Sequence, residues 1–332
     1  MAELLKVHGS ENSFFLLDQT TLTTPLADET LVALAKQLCD RQSGLLEGAD
    51  GLLVVSADAA AAGRMTVINA DGTYAKMCGN GLRTVSRYLS EKTGRDEFQV
   101  QTAEASLRVH RAPQLAEGVP AFGVEISPVS FAASALPFAD LGHEEIVDQV
   151  LPEIHPTLRF TAIAVPNPHL IAFVDEDALN GEAIEAIGKR LNAANPYFPE
   201  GVNITFATIT GQNTIFARTY ERGVGFTNAC GTGMSATSLA LVLTHPEVAS
   251  RDTPITVYNP GGMVQTIVHQ EASGRYWIEL IGNATVTAAI TVPESSLAAA
   301  TTAGATVSDT GEQAQYTRFV TELPYRGLVA TV

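Results

Sequence analysis

The sequence predicts an α+β protein of two similar halves, in each of which short strands wrap around one long helix. Two observations lead to this prediction. Stretches typical of short strands outnumber helical stretches throughout the 332 residues, and each half contains one long apolar helix. In addition, the pattern of residues 26–38 recurs in residues 179–191, which indicates that one unit of domain size has been duplicated.

The strands and the long helix occur in the same order in the two halves. In the first half, apolar runs predict strands over residues 4–7, 13–17, 51–55 and 65–69. Helical spacing follows over residues 82–90, with Val85 and Leu89 on one face. In the second half, the matching strands are residues 160–165, 170–174, 202–208 and 214–220, and the matching helix is residues 234–243.

The helix that precedes these elements is also repeated. Its apolar residues recur at helical spacing in both copies, Leu31, Leu34 and Leu38 in the first and Ile184, Ile187 and Leu191 in the second. Upstream, Asn12 opens an apolar run in the first half and Asn167 opens a similar run in the second. The two copies therefore align over most of each half.

Two cysteines stand in almost identical glycine-rich sequences, MCGNG at residues 77–81 and ACGTG at residues 229–233. Each cysteine precedes a predicted helix, where unpaired backbone N–H groups and the positive end of the helix dipole favour a thiolate. Two such thiols, one from each half, suit racemisation by two bases that face each other across one substrate. A single cysteine would be read as a small core residue, and Cys39, at the end of an apolar helix, is predicted to be one.

Composition excludes several classes of function. The formal charge of −16 disfavours nucleic acid and anionic membranes as partners. No apolar stretch approaches the roughly 20 residues of a membrane span, and the first residues lack the pattern of a signal peptide, so we expect a cytoplasmic protein. Three cysteines without a CxxC pair predict neither a disulfide framework nor a structural zinc site, and the histidines lack metal-ligand spacing.

An ordered set of motifs resembles the diaminopimelate epimerases, a family of pyridoxal-phosphate-independent amino-acid racemases and epimerases. Besides the two cysteine motifs, the resemblance rests on short sequences that occur in the family's order between about residues 3 and 287. These are HG at residues 8–9 with Asn12, NADG at 69–72, NPH at 167–169, FPEGVN at 198–203, YERG at 220–223 and NPGG at 259–262.

The resemblance implies two pseudo-symmetric domains, each a barrel-like sheet around a central helix, with the active site in the cleft between them. We expect domains at residues 1–125 and 126–287, followed by a C-terminal extension at 288–332 that is a linker or a docking segment. Within it, residues 295–310 suit a linker, and residues 316–323 predict a short strand or docking segment. The resemblance also implies a homodimer, and we expect no metal or pyridoxal phosphate, since no lysine has a recognisable cofactor context.

The resemblance also implies the site residues. Cys78 and Cys230 are the expected acid and base, with no fixed assignment of the two roles, and His169 and Glu221 the expected catalytic support. Backbone N–H groups at the two helix starts are expected to hold the substrate carboxylate, those of Gly79, Asn80, Gly231 and Thr232. The expected substrate contacts are the side chains of Asn12, Asn69, Asn167, Asn203, Glu221 and Arg222, a polar set that suits a substrate with charged groups at both ends.

Three departures from the family pattern leave the substrate open. Gly51 stands where many relatives carry glutamine, Phe226 replaces a common glutamate, and Glu11 and Ser13 flank Asn12 where the family often has glycine and an acidic residue. The expected reaction is interconversion of LL- and meso-diaminopimelate, in lysine and peptidoglycan precursor synthesis. A histidine racemase on the same scaffold is the alternative, whereas proline racemases usually carry histidine at the position of Asn80.

A protein that binds amino acids without turnover is an alternative of a different class. Such a protein would keep the polar contacts and would not need both thiols. A thiol-redox function is disfavoured because the two cysteines lie far apart in sequence. Exchange of the substrate Cα proton with solvent deuterium separates an epimerase from a binding protein.

Overall fold

The computed structural model describes residues 1–325, which form two compact units. The first unit consists of Met1–Val124 together with Ile281–Phe319, and the second of Glu125–Leu280 together with the segment that begins at Val320. Residues 281–319 therefore belong to the same unit as the N-terminal part of the chain. The predicted division into domains at residues 1–125 and 126–287 and an extension at 288–332 stays a prediction.

The described residues contain short strands and few long helices. The strands are β1 (Ala2–Gly9), β2 (Asn12–Asp18), β3 (Gly51–Ser56), β4 (Arg64–Asn69), β5 (Tyr74–Ala75), β6 (Glu97–Gln101), β7 (Ser106–Ala116), β8 (Val119–Ile126), β9 (Gln149–Val150), β10 (Arg159–Ala164), β11 (Pro168–Phe173), β12 (Asn203–Gly211), β13 (Thr214–Glu221), β14 (Gly225–Phe226), β15 (Ile255–Asn259), β16 (Gly262–Gln270), β17 (Tyr276–Asn283), β18 (Thr285–Val292) and β19 (Thr306–Asp309). The α-helices are α1 (Asp28–Cys39), α2 (Gly79–Thr93), α3 (Glu182–Asn192), α4 (Gly231–Thr244), α5 (Glu294–Ala298) and α6 (Glu312–Glu322), with 3₁₀ turns at Gln19–Thr21, Leu45–Glu47 and Glu176–Asn180. Between residues 1 and 325 no helix is long and apolar enough to cross a membrane.

From β1 to β6, the pairings between neighbouring strands of the first unit are alternately antiparallel and parallel. β1 and β2 form an antiparallel hairpin, β2 runs parallel to β3, and β3 is antiparallel to β4. β4 then runs parallel to β6, which continues antiparallel into β7 and β8. On the other side of β1, the late strands β18 and β19 add two antiparallel pairs.

The second unit repeats the same alternation. β10 and β11 are antiparallel, β11 is parallel to β12, and β12 is antiparallel to β13, which runs parallel to β15 and thus leads to β16. A helix follows the hairpin in each unit, α1 in the first and α3 in the second. The duplicated α+β fold predicted from the sequence is confirmed.

One long helix is central to each unit and is packed by the strands around it. α2 contacts β1, β2, β3, β4 and β7, and α4 contacts β10, β11, β12, β13, β15 and β16. Both helices are buried on every side near their starts, and α4 consists of apolar and small residues around its whole circumference. The predicted helical faces of Val85 and Leu89 are buried, as expected, but so are polar neighbours such as Arg83 and Ser86.

Cys39 ends α1 and is only 1% exposed, within the apolar core that α1 forms with β2 and β3. Burial raises the pKa of its thiol to about 12. The prediction that Cys39 is a core residue is therefore confirmed.

The C-terminal segment differs from its prediction. Residues 295–310 contain the end of α5 and the strand β19, which pairs with β18, so this stretch is not a free linker. Residues 316–323 were expected to form a short strand or docking segment, but the strand is wrong, because α6 spans Glu312–Glu322. The remainder of the predicted extension, after residue 325, lies outside the described residues.

Two side chains attach α6 to the first unit. Tyr316 is 1% exposed, and its ring packs edge-to-face against His8 at 4.7 Å between centroids. The Glu312 carboxylate accepts two hydrogen bonds from the Arg87 guanidinium, at 2.6 and 2.7 Å, and a third from the backbone N–H of Val286. Residues 312–319 of this helix are therefore an integral part of the first unit.

We expect Tyr316→Ala to lower the free energy of unfolding by about 3 kcal/mol, because it removes a fully buried aromatic ring. Denaturant unfolding followed by circular dichroism measures the change. Arg318→Ala, an exposed position on the same helix, is the matched control and should stay within about 0.5 kcal/mol of the parent. Equal midpoints for Tyr316→Ala and the parent would contradict the docking of α6.

Candidate active site

Cys78 is the N-cap residue of α2 in the first unit. Its sulfur accepts a hydrogen bond from the backbone N–H of Gly81 at 3.3 Å, so the thiol takes the place of the usual serine or aspartate cap. The backbone N–H groups of Gly79 and Asn80 lie in the first helical turn and have no carbonyl four residues earlier within the helix. They remain suited to an anion.

The second glycine of each cysteine motif is required by packing. A Cβ atom on Gly81 would lie 2.8 Å from Leu53 Cδ2 and 3.3 Å from Cys78 Sγ. In the second unit, a Cβ atom on Gly233 would lie 2.8 Å from the Thr219 hydroxyl oxygen. Glycine thus lets each helix start against the strands beside it, which explains why CGxG occurs twice.

The β1–β2 turn brings Asn12 to Cys78. The carboxamide oxygen of Asn12 accepts from Asn80 Nδ2 at 3.2 Å and from the Cys78 thiol at 3.9 Å. Its Nδ2 donates to Asp50 at 2.7 Å, which fixes the orientation of the amide. We call Cys78, Asn80, Asn12 and Asp50 the first cysteine cluster.

Asp50 was missed from the sequence. Its carboxylate binds both the side chain of Asn12 and the backbone N–H of Ser13, and Arg41 donates to its other oxygen at 2.5 Å. The only sequence signal is an acidic residue directly before β3, which pairs with β2 in parallel. The parallel pairing of β2 with β3, which brings Asp50 to Asn12, is seen only in the structure.

Two other predicted residues of the first unit have structural roles. Gly51 pairs with Asn69 across β3 and β4, and a Cβ atom on Gly51 would lie 2.6 Å from the carbonyl oxygen of Ile68. A glutamine at this position therefore needs a shift of the neighbouring strand. The Asn69 amide donates to Thr73 at 2.9 Å and closes the turn after β4.

Cys230 is the N-cap residue of α4 in the second unit. Its sulfur accepts from the backbone N–H of Gly233 at 3.4 Å and lies 3.5 Å from the Thr232 hydroxyl. As at the first helix, Gly231 and Thr232 contribute unpaired N–H groups in the first turn. The two helix starts therefore have the same backbone chemistry.

Thr232 connects Cys230 to two residues of the NPH motif. Its hydroxyl oxygen accepts from Asn167 Nδ2 at 3.1 Å and lies 3.0 Å from His169 Nε2. His169 is fully buried, and burial together with the positive charge of Arg222 lowers the pKa of its ring to about 3. The imidazole is therefore neutral near pH 7, and its contact orients Thr232.

Three more predicted residues lie around this helix start. Asn203, at the start of β12, accepts from the backbone N–H of Arg222 at 2.8 Å, and Arg222 Nη1 donates to the Glu200 carbonyl at 2.9 Å. The Glu221 carboxylate accepts from the Thr227 hydroxyl at 2.6 Å. The second cysteine cluster consists of Cys230, Thr232, Asn167, His169 and Glu221.

The expectation of a favoured thiolate is wrong for Cys230. Burial raises the pKa of its thiol well above the usual value, and the negative charge of Glu221 raises it further. The hydrogen bonds from Thr232 and from the Gly233 N–H act in the opposite direction but are the smaller influences. Cys230 therefore holds its proton in this structure.

Phe226 is accounted for by packing within the second unit. Its ring lies edge-to-face against Tyr220, with centroids 5.3 Å apart, and the Arg218 guanidinium stands 3.7 Å above it. These contacts fix β14 against β13. For residues 1–325, no group of three or more His, Cys, Asp or Glu side chains is placed to hold a metal ion.

Comparison with known proteins gives the family. The family model described as diaminopimelate epimerase matches residues 4–114 and 161–287. The chain is 52% identical over 323 residues to a diaminopimelate epimerase from Ligilactobacillus salivarius, covering 97% of this chain and 99% of the relative. It is 51% identical to another from Enterococcus faecalis, covering 96% and 97%.

A solved structure shows the same fold at low identity. A phenazine biosynthesis protein of the PhzF family from Bacillus anthracis matches with a TM-score of 0.60 and 13% identity, covering 86% of this chain and 96% of that one. The match extends the fold similarity beyond sequence relatives. With the family model matching over half of the chain and the relatives at about half identity, the chain belongs to the diaminopimelate epimerase family.

Proposed function

We propose that this protein is an isomerase that interconverts LL- and meso-diaminopimelate without a cofactor. The observation that carries the proposal is a cysteine at the N-cap of the central helix in each unit, in the same CGxG sequence. Relatives of about half identity that are named diaminopimelate epimerase favour this substrate over histidine. A cytoplasmic homodimer is part of the same proposal.

The reaction transfers a proton away from Cα on one face of the substrate and returns a proton to the other face. The Cα–H of an amino acid is a very weak acid, so the carbanionic transition state needs strong stabilisation. The N–H groups of Gly79, Asn80, Gly231 and Thr232 are unpaired helix-start donors suited to the substrate α-carboxylate. Charge that develops on the carboxylate strengthens these hydrogen bonds.

The two thiols have different roles in the resting protein. The raised pKa of Cys230 keeps it as a thiol, which makes it the proton donor at the start of one direction of the reaction. Cys78 then begins as the thiolate base, after the proton that its thiol donates to Asn12 Oδ1 in this structure has passed to solvent. After one turnover the protonation states of the two sulfurs are exchanged, and the reverse reaction restores them.

Polar side chains bind the rest of the substrate in this proposal. Glu221 suits the α-ammonium group, and neutralisation of its charge by that group lowers the pKa of Cys230 when substrate binds. The distal amino-acid end suits the amides of Asn69, Asn167 and Asn203 and the guanidinium of Arg222. His169 serves as a positioning residue through Thr232.

Incubation with LL-diaminopimelate in deuterium oxide tests the function. We expect the meso isomer to accumulate, with deuterium at the inverted Cα, because the proton returned to the second face comes from a thiol that exchanges with solvent. Chiral chromatography and mass spectrometry measure both. L-histidine in a parallel reaction should remain unchanged. Turnover of histidine alone would assign the protein as a histidine racemase, and no exchange with either would indicate a binding protein.

We expect Cys78→Ala and Cys230→Ala each to abolish epimerisation while the fold is retained, because each loses one proton-transfer partner. Loss of turnover is measured by the chiral assay, and circular dichroism checks the fold. Cys39→Ala is the control: it should keep turnover and cost about 1 kcal/mol of stability through core packing. Substantial epimerisation by either of the first two variants would rule out two-base chemistry.

We expect Glu221→Gln to lower the pKa of Cys230, since it removes a negative charge beside the thiol. Labelling with iodoacetamide, followed by peptide mass spectrometry, reports the thiolate fraction of each cysteine against pH. While the pKa lies well above 7, each unit of pKa decrease raises the thiolate fraction at neutral pH by about tenfold. Glu200→Gln removes an exposed charge in the same unit and should leave the profile unchanged. The idea fails if both variants label Cys230 as the parent does.

A further inference from the structure

Arg83 lies within α2, five residues after Cys78, and has no exposed surface. Its hydrogen-bond partners are neutral. Nε donates to the backbone carbonyl of Asn283 at 3.1 Å, and Nη2 donates to the Ser10 hydroxyl at 3.4 Å. Among residues 1–325, no partner is placed for Nη1. A full positive charge is thus buried next to the first cysteine cluster without a bound carboxylate.

A buried charge of this kind is costly unless an opposite charge faces it. Burial lowers the pKa of Arg83 to about 10, so the guanidinium remains protonated near pH 7. One turn further along the same helix, Arg87 is also buried, but it forms ion pairs with Glu312 and Glu91. The contrast shows that α2 compensates one buried arginine with carboxylates and leaves the other uncompensated.

The guanidinium of Arg83 lies beside the start of α2. A Cβ atom on Gly9 would lie 2.7 Å from Arg83 Nη2 and 3.0 Å from the carbonyl oxygen of Asn80, so these groups surround the same small space. Asn80 is the second residue after Cys78, and its amide binds Asn12, which the Cys78 thiol also contacts. Arg83 is therefore part of the layer directly behind the first cysteine cluster.

The other titratable groups around Arg83 leave its charge unbalanced. On β1, burial lowers the pKa of His8 to about 4, so its ring is neutral near pH 7. On α6, burial raises the pKa of Tyr316 above its usual value, so the phenol is also neutral. Other charged groups in this region are Lys6, with a pKa lowered to about 8 by burial, and Glu11, Arg41, Glu47 and Asp50. The Asp50 carboxylate of the first cysteine cluster is bound by Arg41, so a thiolate at Cys78 is the further anion that this cluster can generate.

We propose that Arg83 is a positioning residue whose buried charge stabilises the thiolate of Cys78. The charge acts across the first turn of α2 from a side chain that has no exposed surface, so it is less screened than a charge at the surface. It adds to the helix-start N–H groups, which are common to both units. At the matching position of α4, five residues after Cys230, stands the uncharged Ser235. The role of Arg83 in turnover rests on the function proposed for Cys78. Its effect on the pKa of the Cys78 thiol does not.

The test compares three variants of the full chain, Arg83→Met, Arg83→Lys and Arg87→Met, by the pH dependence of iodoacetamide labelling at Cys78. We expect Arg83→Met to raise the thiol pKa by about one unit or more, which moves the midpoint of the labelling profile to higher pH by the same amount and causes a loss of labelling rate at neutral pH. Arg83→Lys keeps the charge and should restore most of that loss. Lys6 is present in every variant, so its titration affects all profiles alike.

Arg87→Met is the matched control, since it removes a buried arginine of the same helix that carboxylates already neutralise. It should lower the midpoint of unfolding and leave the pKa of Cys78 as in the parent. An unchanged profile in Arg83→Met, or the same shift in Arg87→Met, would overturn the proposal. Should Arg83→Met fail to fold, a shift of a full unit in Arg83→Lys would also overturn it. The test does not involve diaminopimelate, so its failure is distinct from a failure of the proposed epimerase activity.

Discussion

Much of this protein's chemistry depends on the burial of a helix start within a sheet. The first N–H groups of α2 and α4 have no carbonyl partner within their helices, and strands surround both starts. A buried, unpaired N–H group is costly, so each start needs an acceptor. A cysteine sulfur satisfies one N–H in each case, and the others suit an anionic ligand. The glycine two residues after each helix start makes this approach possible, because a Cβ atom there would overlap the adjacent strand or the cysteine.

Upon this shared backbone, the two units differ in the side chains that surround the sulfur. Cys78 contacts the amide of Asn12, whose partner Asp50 is bound by Arg41, and a buried arginine lies behind it. Cys230 is near the Glu221 carboxylate and a neutral histidine. A positive charge favours a thiolate and a negative charge favours a thiol. Duplication therefore produced two similar scaffolds, and the side chains around the two sulfurs differ in charge. This asymmetry is useful for a reaction that needs one base and one acid at the same time.

The order of strands and helices was predictable because it depends on local patterns that occur twice. The CGxG sequences located both helix starts, since glycine, cysteine and helical spacing are all visible in the chain. The α6 helix was not predicted, because its main buried side chain is a single residue, Tyr316, which sets no periodicity. Arg83 was missed because an arginine in an otherwise amphipathic helix is typical of a solvent-facing position. The raised pKa of Cys230 depends on burial and on Glu221, and neither can be read from the order of residues.

The discontinuous first unit has a consequence for the order in which the chain is completed during synthesis. β1 is made before residues 125–280, whereas its neighbour β18 and the helix that supplies Glu312 are made after them. Until then, one edge of β1 has no partner strand, and Arg87 lacks one of its two carboxylates. Residues 125–280, by contrast, are present in full before these closing elements appear. During this period the open edge of β1 must be protected from pairing with other chains. A chain that is truncated shortly before Thr285 lacks β18, so its β1 edge stays unpaired.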